Sequence, residues 1–184
     1  MGVALARALE SYTIDDIYRL PEGQRAELID GRLFMMASPS RRHQEIVHFL
    51  DRTIGNYVQS KRGECKVYPA PFAVFLNADD TVYVEPDVSV ICDKGKLTDE
   101  GCHGAPDWIV EVVSPTTRSM DYGRKLFKYH SAGVREYWIV DYDNNQVLVY
   151  DFAGDEMTYH SFSDKVQVRI YMDLEIDFSE IDME

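Results

Sequence analysis

The chain has 184 residues, of which 45% are hydrophobic, and this length and composition fit one domain with a packed core. Its net charge of -13 at pH 7 argues against indiscriminate binding of nucleic acid, because affinity for polyanions comes largely from Lys and Arg. No apolar run approaches the roughly 20 residues of a membrane helix, and the first ten residues lack a secretory-signal pattern, so we expect a single cytoplasmic domain over residues 1–184, without membrane association.

The N-terminal third predicts a short helix, a hairpin and a long helix. The stretch YTIDDIYRLP begins with Thr13 as a helix cap. In AELIDGRLFMMA, the dipeptide Asp30-Gly31 is typical of a hairpin turn. After a cap at Ser38 or Ser40, apolar residues recur with helical spacing until Gly63.

The rest of the chain predicts strands around one more helix. CKVYPAPFAVFL and TVYVEPDVSVI are strand-like, and their prolines indicate bulges or sheet edges. DWIVEVVS is a buried strand followed by a helix over residues 117–132, and REYWIVDYDNNQVLVYDF is a hairpin with a turn at Asn144-Asn145. Strand-like alternation continues toward VQVRIYMDLEID. This order predicts an α/β or α+β domain with a mixed central sheet flanked by helices.

The negative charge is concentrated near the C-terminus. Residues 139–184 contain 12 acidic and 2 basic residues, which leaves 20 acidic and 17 basic residues in the rest of the chain. A local basic surface is therefore compatible with the sequence, although a solvated face with scattered charges is an equal alternative. Its candidate members are Arg41, Arg42, Lys61, Arg62, Lys66, Arg118, Arg124 and Lys128.

The three cysteines do not form a recognisable pattern. Cys65, Cys92 and Cys102 are odd in number and lack CxxC spacing, which predicts buried, reduced thiols rather than a disulfide framework or a thiolate zinc site. Cys102 and His103 are adjacent, but further zinc ligands have no recognisable spacing, so a zinc or thiol enzyme has little support.

Glu111 is a charged residue inside a predicted strand that is otherwise apolar. An unpaired carboxylate inside an apolar strand costs several kcal/mol, so Glu111 needs a positive charge or a metal. Asp87 follows Pro86 at a distance of 24 residues from Glu111, which is enough for a strand, a turn and a neighbouring strand. The two carboxylates can therefore converge, and oxygen ligands of this kind suit Mg²⁺.

The helix after this strand offers a lysine. Asp121, Lys125 and Tyr129 are spaced by four residues and share one helical face, which can look back toward Glu111. Two carboxylates, a divalent ion and a lysine that orients a water molecule can hydrolyse a phosphodiester. The competing interpretation is a structural ion pair between Glu111 and Lys125.

Four segments, ELIDG, MASPSRRHQ, VEPDVSV and GAPDWIVEVVSPTTRSMDYGRKLFKYHSAGVREYWIVD, resemble the Uma-two family of endonucleases, within the restriction-endonuclease-like PD-(D/E)xK superfamily. The resemblance extends from about residue 27 to residue 141. It implies a restriction-endonuclease-like core of helix, three strands, helix and strand, to which an N-terminal hairpin and C-terminal strands are added. It also implies a nuclease site that uses Mg²⁺, for which Mn²⁺ can substitute.

The resemblance assigns the catalytic positions. Asp87 corresponds to the PD aspartate and Glu111 to the acidic residue of the ExK element. The lysine expected two positions later is replaced by Val113, so the resemblance implies a lysine on the following helix. Lys125 is the first choice and Lys128 the competing one.

The resemblance also implies accessory positions. Glu27 and His43 match upstream polar positions of the family and are expected to face the same cleft as an accessory ligand or a phosphate contact. The nuclease hypothesis adds Asp121 as an accessory residue, from its helical face, and the Val112 carbonyl in the inner shell of the metal. For His43, a helix-capping or packing role is an equal alternative. For Glu27, which lies beside a hairpin, plain solvent exposure is an equal alternative.

These observations lead to two hypotheses. The first is a Mg²⁺-dependent endonuclease of DNA, expected as a homodimer because two-strand cleavage usually needs two sites. The second is a catalytically inactive nuclease-fold interaction or regulatory module, in which the acidic C-terminal segment meets a partner or covers the site.

Overall fold

The computed structural model describes residues 11–77 and 81–181, and the N-terminal decapeptide considered above lies outside them. The described part contains the helices α1 (Ile14–Tyr18), α2 (Arg41–Ser60) and α3 (Leu126–Ala132). A π-helical segment, Met120–Lys125, leads directly into α3, and two 3-10 turns cover Lys94–Lys96 and Phe178–Glu180. Within these ranges, no helix has the length and apolar character needed to span a membrane.

The strands follow one another in short segments along the described chain. In chain order they are β1 (Ala26–Ile29), β2 (Arg32–Met35), β3 (Lys66–Pro69), β4 (Val74–Phe75), β5 (Val82–Val84), β6 (Val88–Ile91), β7 (Cys102–His103), β8 (Trp108–Val112), β9 (Glu136–Asp141), β10 (Gln146–Asp151), β11 (Glu156–Ser161), β12 (Lys165–Gln167) and β13 (Glu175–Asp177).

A six-stranded mixed sheet forms the centre of the fold. Its strand order is β11-β10-β9-β8-β6-β3, and β8 and β9 are its parallel pair. Both central strands are buried along their whole length, because each face of the sheet is covered. Helix α2 and the β12-β13 hairpin pack on one face, whereas α3 and a second sheet pack on the other.

The second sheet has five strands in the order β2-β1-β5-β4-β7. It is antiparallel apart from the β4-β7 pair. The chain passes from β5 in this sheet to β6 in the central sheet through residues 85–87, so Asp87 lies where the two sheets meet.

The predicted fold class and several predicted boundaries are confirmed. Thr13 caps α1 and Ser40 caps α2, where the Ser40 side chain accepts a hydrogen bond from the His43 amide at 3.2 Å. The two predicted hairpins form at Asp30-Gly31 and at the turn that includes Asn145. The helix predicted for residues 117–132 is confirmed: the helical run begins at residue 118, and its residues Met120–Lys125 are π-helical.

The prediction of three reduced cysteines is wrong for two of them. Cys65 and Cys92 are joined by a disulfide, whereas Cys102 is free and buried. The cause is strand register: Lys66 pairs with Ile91 in the antiparallel β3-β6 ladder, so the residues just beyond that pair face each other. A separation of 27 residues does not reveal this register in the sequence.

Candidate active site

Glu111 reaches its partners because of the alternation of β8. Ile109, Glu111 and Val113 point to the face that carries α3, while the intervening residues point to the face that carries α2. The side chain is buried, and its Oε1 accepts hydrogen bonds from Lys125 Nζ at 2.9 Å and from the Tyr129 hydroxyl at 2.7 Å. The carboxylate inside the strand is therefore not unpaired.

The π-helical segment supplies the other side of the site. Asp121 and Lys125 lie in it, Tyr129 follows in α3, and all three side chains are buried toward Glu111. Such π-helical insertions are rare and frequently occur at functional sites. The predicted shared helical face is confirmed, although the helix that carries it is not an ordinary α-helix throughout.

Lys125 is surrounded by three carboxylates. Its Nζ lies 2.8 Å from Glu27 Oε1, 2.9 Å from Glu111 Oε1 and 3.6 Å from Asp121 Oδ1. Burial alone would lower the pKa of Lys125, but the carboxylates, Glu111 first, raise this pKa well above its ordinary value. The lysine is therefore charged.

One ammonium does not compensate three buried carboxylates. Burial raises the pKa of Glu111 well above its ordinary value, against the opposing effect of Lys125. Burial likewise raises the pKa of Asp121 to about 6. The neighbouring carboxylates add to the effect of burial in both cases, so the site favours the binding of a proton or of a further cation.

Asp87 and His43 form the adjoining part of the site. Asp87 Oδ2 accepts a hydrogen bond from the Val112 amide at 2.8 Å, which ties this carboxylate to the residue after Glu111. His43 Nε2 lies 3.2 Å from the same oxygen. Burial lowers the pKa of His43, but the contacts with Asp87, and to a smaller extent with the Val112 backbone, raise it overall.

A second set of residues, missed in the sequence, supports Glu27. The Glu85 amide donates to Glu27 Oε1 at 3.1 Å, and the Glu85 carboxylate accepts from Arg25 Nε and from the Tyr83 hydroxyl, each at 2.8 Å. The available signal was VEPD, in which Glu85 is two residues before Asp87 at the end of an apolar strand. Arg25 carries no comparable signal.

The acidic side chains described above line a cleft of about 670 Å³, together with Arg25, His43 and Lys125. Its walls are formed by residues 33–37, which are the end of β2 and the two residues after it, by the start of α2, by residues 70–71, and by the segment after β8. The six predicted site residues that the cleft brings together are Glu27, His43, Asp87, Glu111, Asp121 and Lys125.

Lys128, the competing lysine, does not line this cleft, because it forms an ion pair with Asp30 on the outside of the hairpin.

The alternative of a solvent-exposed Glu27 is wrong, since Glu27 is buried. His43 contacts Asp87, so its place in the first turn of α2 is not explained by packing alone. Val113 is buried in the apolar core next to α3.

Five of the eight candidate basic residues have a partner that accounts for their charge. Arg41, Lys61, Arg118 and Lys128 each lie against a carboxylate, of Glu45, Asp173, Asp141 and Asp30 respectively. Arg124 instead lies over the Phe34 ring, with its guanidinium carbon 5.3 Å from the ring centroid.

The oxygen donors around Glu111 fit a hard divalent cation. The hydrogen bonds that Glu111 accepts from the described residues both go to Oε1, and Asp87, whose carboxylate accepts from the Val112 amide, lines the same cleft. Asp121 Oδ1 is buried and accepts no hydrogen bond from the described residues. Within those residues, no group of three or more His, Cys, Asp or Glu is arranged as a complete metal site. Mg²⁺ usually takes only one or two protein carboxylates and keeps several waters, so the donor set is compatible with it.

Comparisons with known proteins agree with this fold. The model of the Uma2 family, described as "Putative restriction endonuclease", matches residues 14–184. Two uncharacterised proteins of Synechocystis sp., slr1290 and sll1609, are 27% and 25% identical over 134 and 135 residues, which cover 72% of this chain and 68% and 75% of theirs. A crystal structure from Anabaena variabilis, described as "a putative nuclease belonging to DUF820", matches with a TM-score of 0.75 at 20% identity, over 92% of this chain and 96% of that one. At this identity the likeness shows the fold.

Proposed function

The chain belongs to the Uma2 family of restriction-endonuclease-like proteins, and we propose that it is a Mg²⁺-dependent nuclease that hydrolyses phosphodiester bonds of DNA. The observation that carries the proposal is the charge imbalance of the cleft. Glu27, Glu111 and Asp121 surround the single ammonium of Lys125. The Asp87 carboxylate accepts a hydrogen bond from the Val112 amide, in the strand that carries Glu111. A divalent cation would relieve this excess of negative charge.

Asp87 and Glu111, with the Val112 carbonyl, would hold the cation, and Mn²⁺ has the same preference for oxygen ligands. When bound, the cation polarises a phosphate and lowers the pKa of a water molecule. The hydrogen bond from the Val112 amide keeps the Asp87 carboxylate next to Glu111. His43 contacts the same Asp87 oxygen and acts as a positioning residue for that carboxylate.

Lys125 would orient the attacking water and stabilise negative charge on the phosphate oxygens. An ammonium has three N–H groups; Lys125 Nζ donates one hydrogen bond to Glu111 Oε1 at 2.9 Å and lies 2.8 Å from Glu27 Oε1. Asp121 Oδ1, at 3.6 Å, is beyond hydrogen-bond distance, so one N–H is available to a water or a phosphate oxygen.

The second candidate is a catalytically inactive nuclease-fold interaction or regulatory module. The contacts of Lys125 also suit a structural ion-pair network, and this observation favours the alternative. The acidic C-terminal segment would then meet a partner. The described part of that segment contributes no residue to the cleft walls, and β12 and β13 pack on the opposite face of the central sheet, so covering of the site lacks support.

Isothermal titration of Mg²⁺ and Mn²⁺, combined with plasmid nicking on the same samples, distinguishes the two candidates. We expect wild type to bind and nick, and Glu111→Gln to lose both properties. Glu175→Gln, an exposed substitution on β13, is the matched control and should behave as wild type. A wild-type protein that neither binds these ions nor nicks DNA would favour the inactive module. Light scattering on these samples measures whether the protein is the expected homodimer.

A further inference from the structure

The candidate catalytic side chains line the cleft and are largely buried. The side chains of Glu27, Glu111, Asp121 and Lys125 are only 3–7% exposed. The side chain of Asp87, the most accessible of the proposed metal ligands, is 17% exposed. A scissile phosphate must therefore descend between the walls of the cleft to reach these groups.

The size of the cleft limits what can descend into it. Its volume of about 670 Å³ lies within the ~300–1,000 Å³ of small-molecule sites, so it can take nucleotide-sized units. A DNA duplex is a stiff rod with a persistence length of about 50 nm, and its major groove alone is about 12 Å wide. A paired duplex is too large to enter a cleft of this volume as a whole, whereas a single unpaired strand can enter it one nucleotide at a time.

The hairpin wall has the chemistry to contact unpaired bases. Leu33, Phe34, Met35 and Met36 line the cleft on this side, and Met35 is 56% exposed. Arg124 stacks over Phe34 at the same wall. Unpaired bases stack on aromatic side chains and on Arg guanidinium planes, whereas the faces of paired bases are covered by their neighbours.

The charge of the protein gives little support for binding of a DNA duplex through its phosphate backbone. Four of the eight candidate basic residues are compensated by carboxylates, and the chain carries a net charge of -13. Proteins that grip duplex DNA through its backbone commonly make about 6–10 phosphate contacts with Lys and Arg. Recognition at this site must depend more on contacts inside the cleft.

From these four observations we infer that the strand to be cut enters the cleft unpaired, so that the substrate is single-stranded DNA or an unpaired region within a duplex. The inference rests on the proposed nuclease function and specifies its substrate class. The hairpin wall holds the bases, and the phosphate between them reaches Asp87, Glu111 and Lys125.

The experiment uses the full chain with Mg²⁺ or Mn²⁺ and three end-labelled substrates of one sequence: a single strand, its perfect duplex, and a duplex with a central unpaired bubble. We expect the single strand and the bubble to be cut at least about ten-fold faster than the duplex, with cuts inside the bubble. Cleavage of the perfect duplex at an equal rate would overturn the inference and leave the proposed function standing. Absence of cleavage on all three substrates would overturn the proposed function itself.

Met35 provides a test of the hairpin wall. We expect Met35→Ala to raise the KM for the single strand on the order of five-fold, while kcat and the affinity for Mg²⁺ stay unchanged, because the side chain contacts bases and not the reacting atoms. Phe127→Ala is the control, since Phe127 is 67% exposed but lies outside the cleft walls. Equal KM values for the two variants would overturn the role of the hairpin wall.

Discussion

Glu111 and Lys125 meet 2.9 Å apart where the central strand β8 faces the π-helical segment. Tyr129 donates to the same carboxylate oxygen, so one side of Glu111 is fixed by two residues of a continuous helical run. The other oxygen, Oε2, accepts no hydrogen bond from the part of the chain that the structure describes, and it is the oxygen proposed to contact the cation. Glu111 and Lys125 thus form a buried ion pair that also belongs to the candidate metal site. Substitutions can separate the contribution of this pair to stability from its contribution to cleavage.

Lys125→Met is expected to lower the rate of DNA cleavage by about 100-fold or more, because the variant lacks the donor that stabilises charge on the phosphate oxygens. It should also lower the free energy of unfolding by about 3–5 kcal/mol, since Glu27, Glu111 and Asp121 lose their shared cation in a buried site. Single-turnover cleavage and urea unfolding measure the two effects. Cleavage is assayed under conditions in which circular dichroism shows the variant to be folded.

Lys128→Met is the matched control for this variant. Lys128 is three residues further along the chain and pairs with Asp30 outside the cleft. Its substitution should leave cleavage near the wild-type rate and change stability by less than about 1 kcal/mol, as is usual for a surface ion pair. If Lys128→Met abolished cleavage and Lys125→Met did not, the assignment of the catalytic lysine would have to be reversed.

Tyr129→Phe should weaken Mg²⁺ binding without abolishing it. The variant loses the 2.7 Å hydrogen bond that holds Glu111 Oε1, so the carboxylate is less well oriented for the cation. The loss of one buried hydrogen bond to a charged group corresponds to about 1.5–3 kcal/mol of stability. Outer contacts that orient metal ligands are typically worth about 10–100-fold in metal affinity, which titration calorimetry can measure.

The control for Tyr129→Phe is Tyr137→Phe. Tyr137 is equally buried and packs edge-on against Tyr129, but its hydroxyl donates to the Asp121 backbone carbonyl at 3.1 Å and not to Glu111. A similar loss of Mg²⁺ affinity in both variants would show that general packing, and not the orientation of Glu111, sets the affinity.

Much of the fold was predictable because its signals are local. The Asp30-Gly31 turn and the Ser40 cap depend on neighbouring residues, and both form as predicted. The convergence of Asp87 with Glu111 was also predictable, because a buried carboxylate in a strand requires a partner and the spacing allows neighbouring strands. The roles assigned to these two residues remain predictions.

What the sequence did not reveal depends on contacts between distant segments. The Cys65–Cys92 disulfide follows from the register of two strands, which no local pattern encodes. Glu27 is buried because the hairpin packs against the π-helical segment and brings this carboxylate to Lys125. The π-helical geometry is likewise a property of that packing, since the residue spacing alone is compatible with an ordinary α-helix.

Asp141 should control the stability of the segment that forms one wall of the cleft. Its buried carboxylate accepts hydrogen bonds from Arg118 Nε and Nη2, each at 2.9 Å, and from the Asn144 amide and side chain. Burial raises the pKa of Asp141, but the hydrogen bonds from Arg118 and Asn144 outweigh burial and lower this pKa below its ordinary value. The ionised carboxylate therefore stabilises the fold above about pH 4, and this stabilisation is lost as the pH falls through the lowered pKa.

Asp141→Asn is accordingly expected to lower the free energy of unfolding by about 1.5–3 kcal/mol at pH 7, because Arg118 and Asn144 lose an ionised hydrogen-bond acceptor. The deficit relative to wild type should shrink toward pH 3, where the wild-type carboxyl group is increasingly protonated. Urea unfolding of both proteins at the two pH values measures this difference. Asp143→Asn is the control, because Asp143 is half-exposed and lies 3.9 Å from Arg118, so its substitution should have little effect at either pH. A deficit of Asp141→Asn that is the same at pH 3 and pH 7 would mean that packing, and not the ionised carboxylate, anchors this wall.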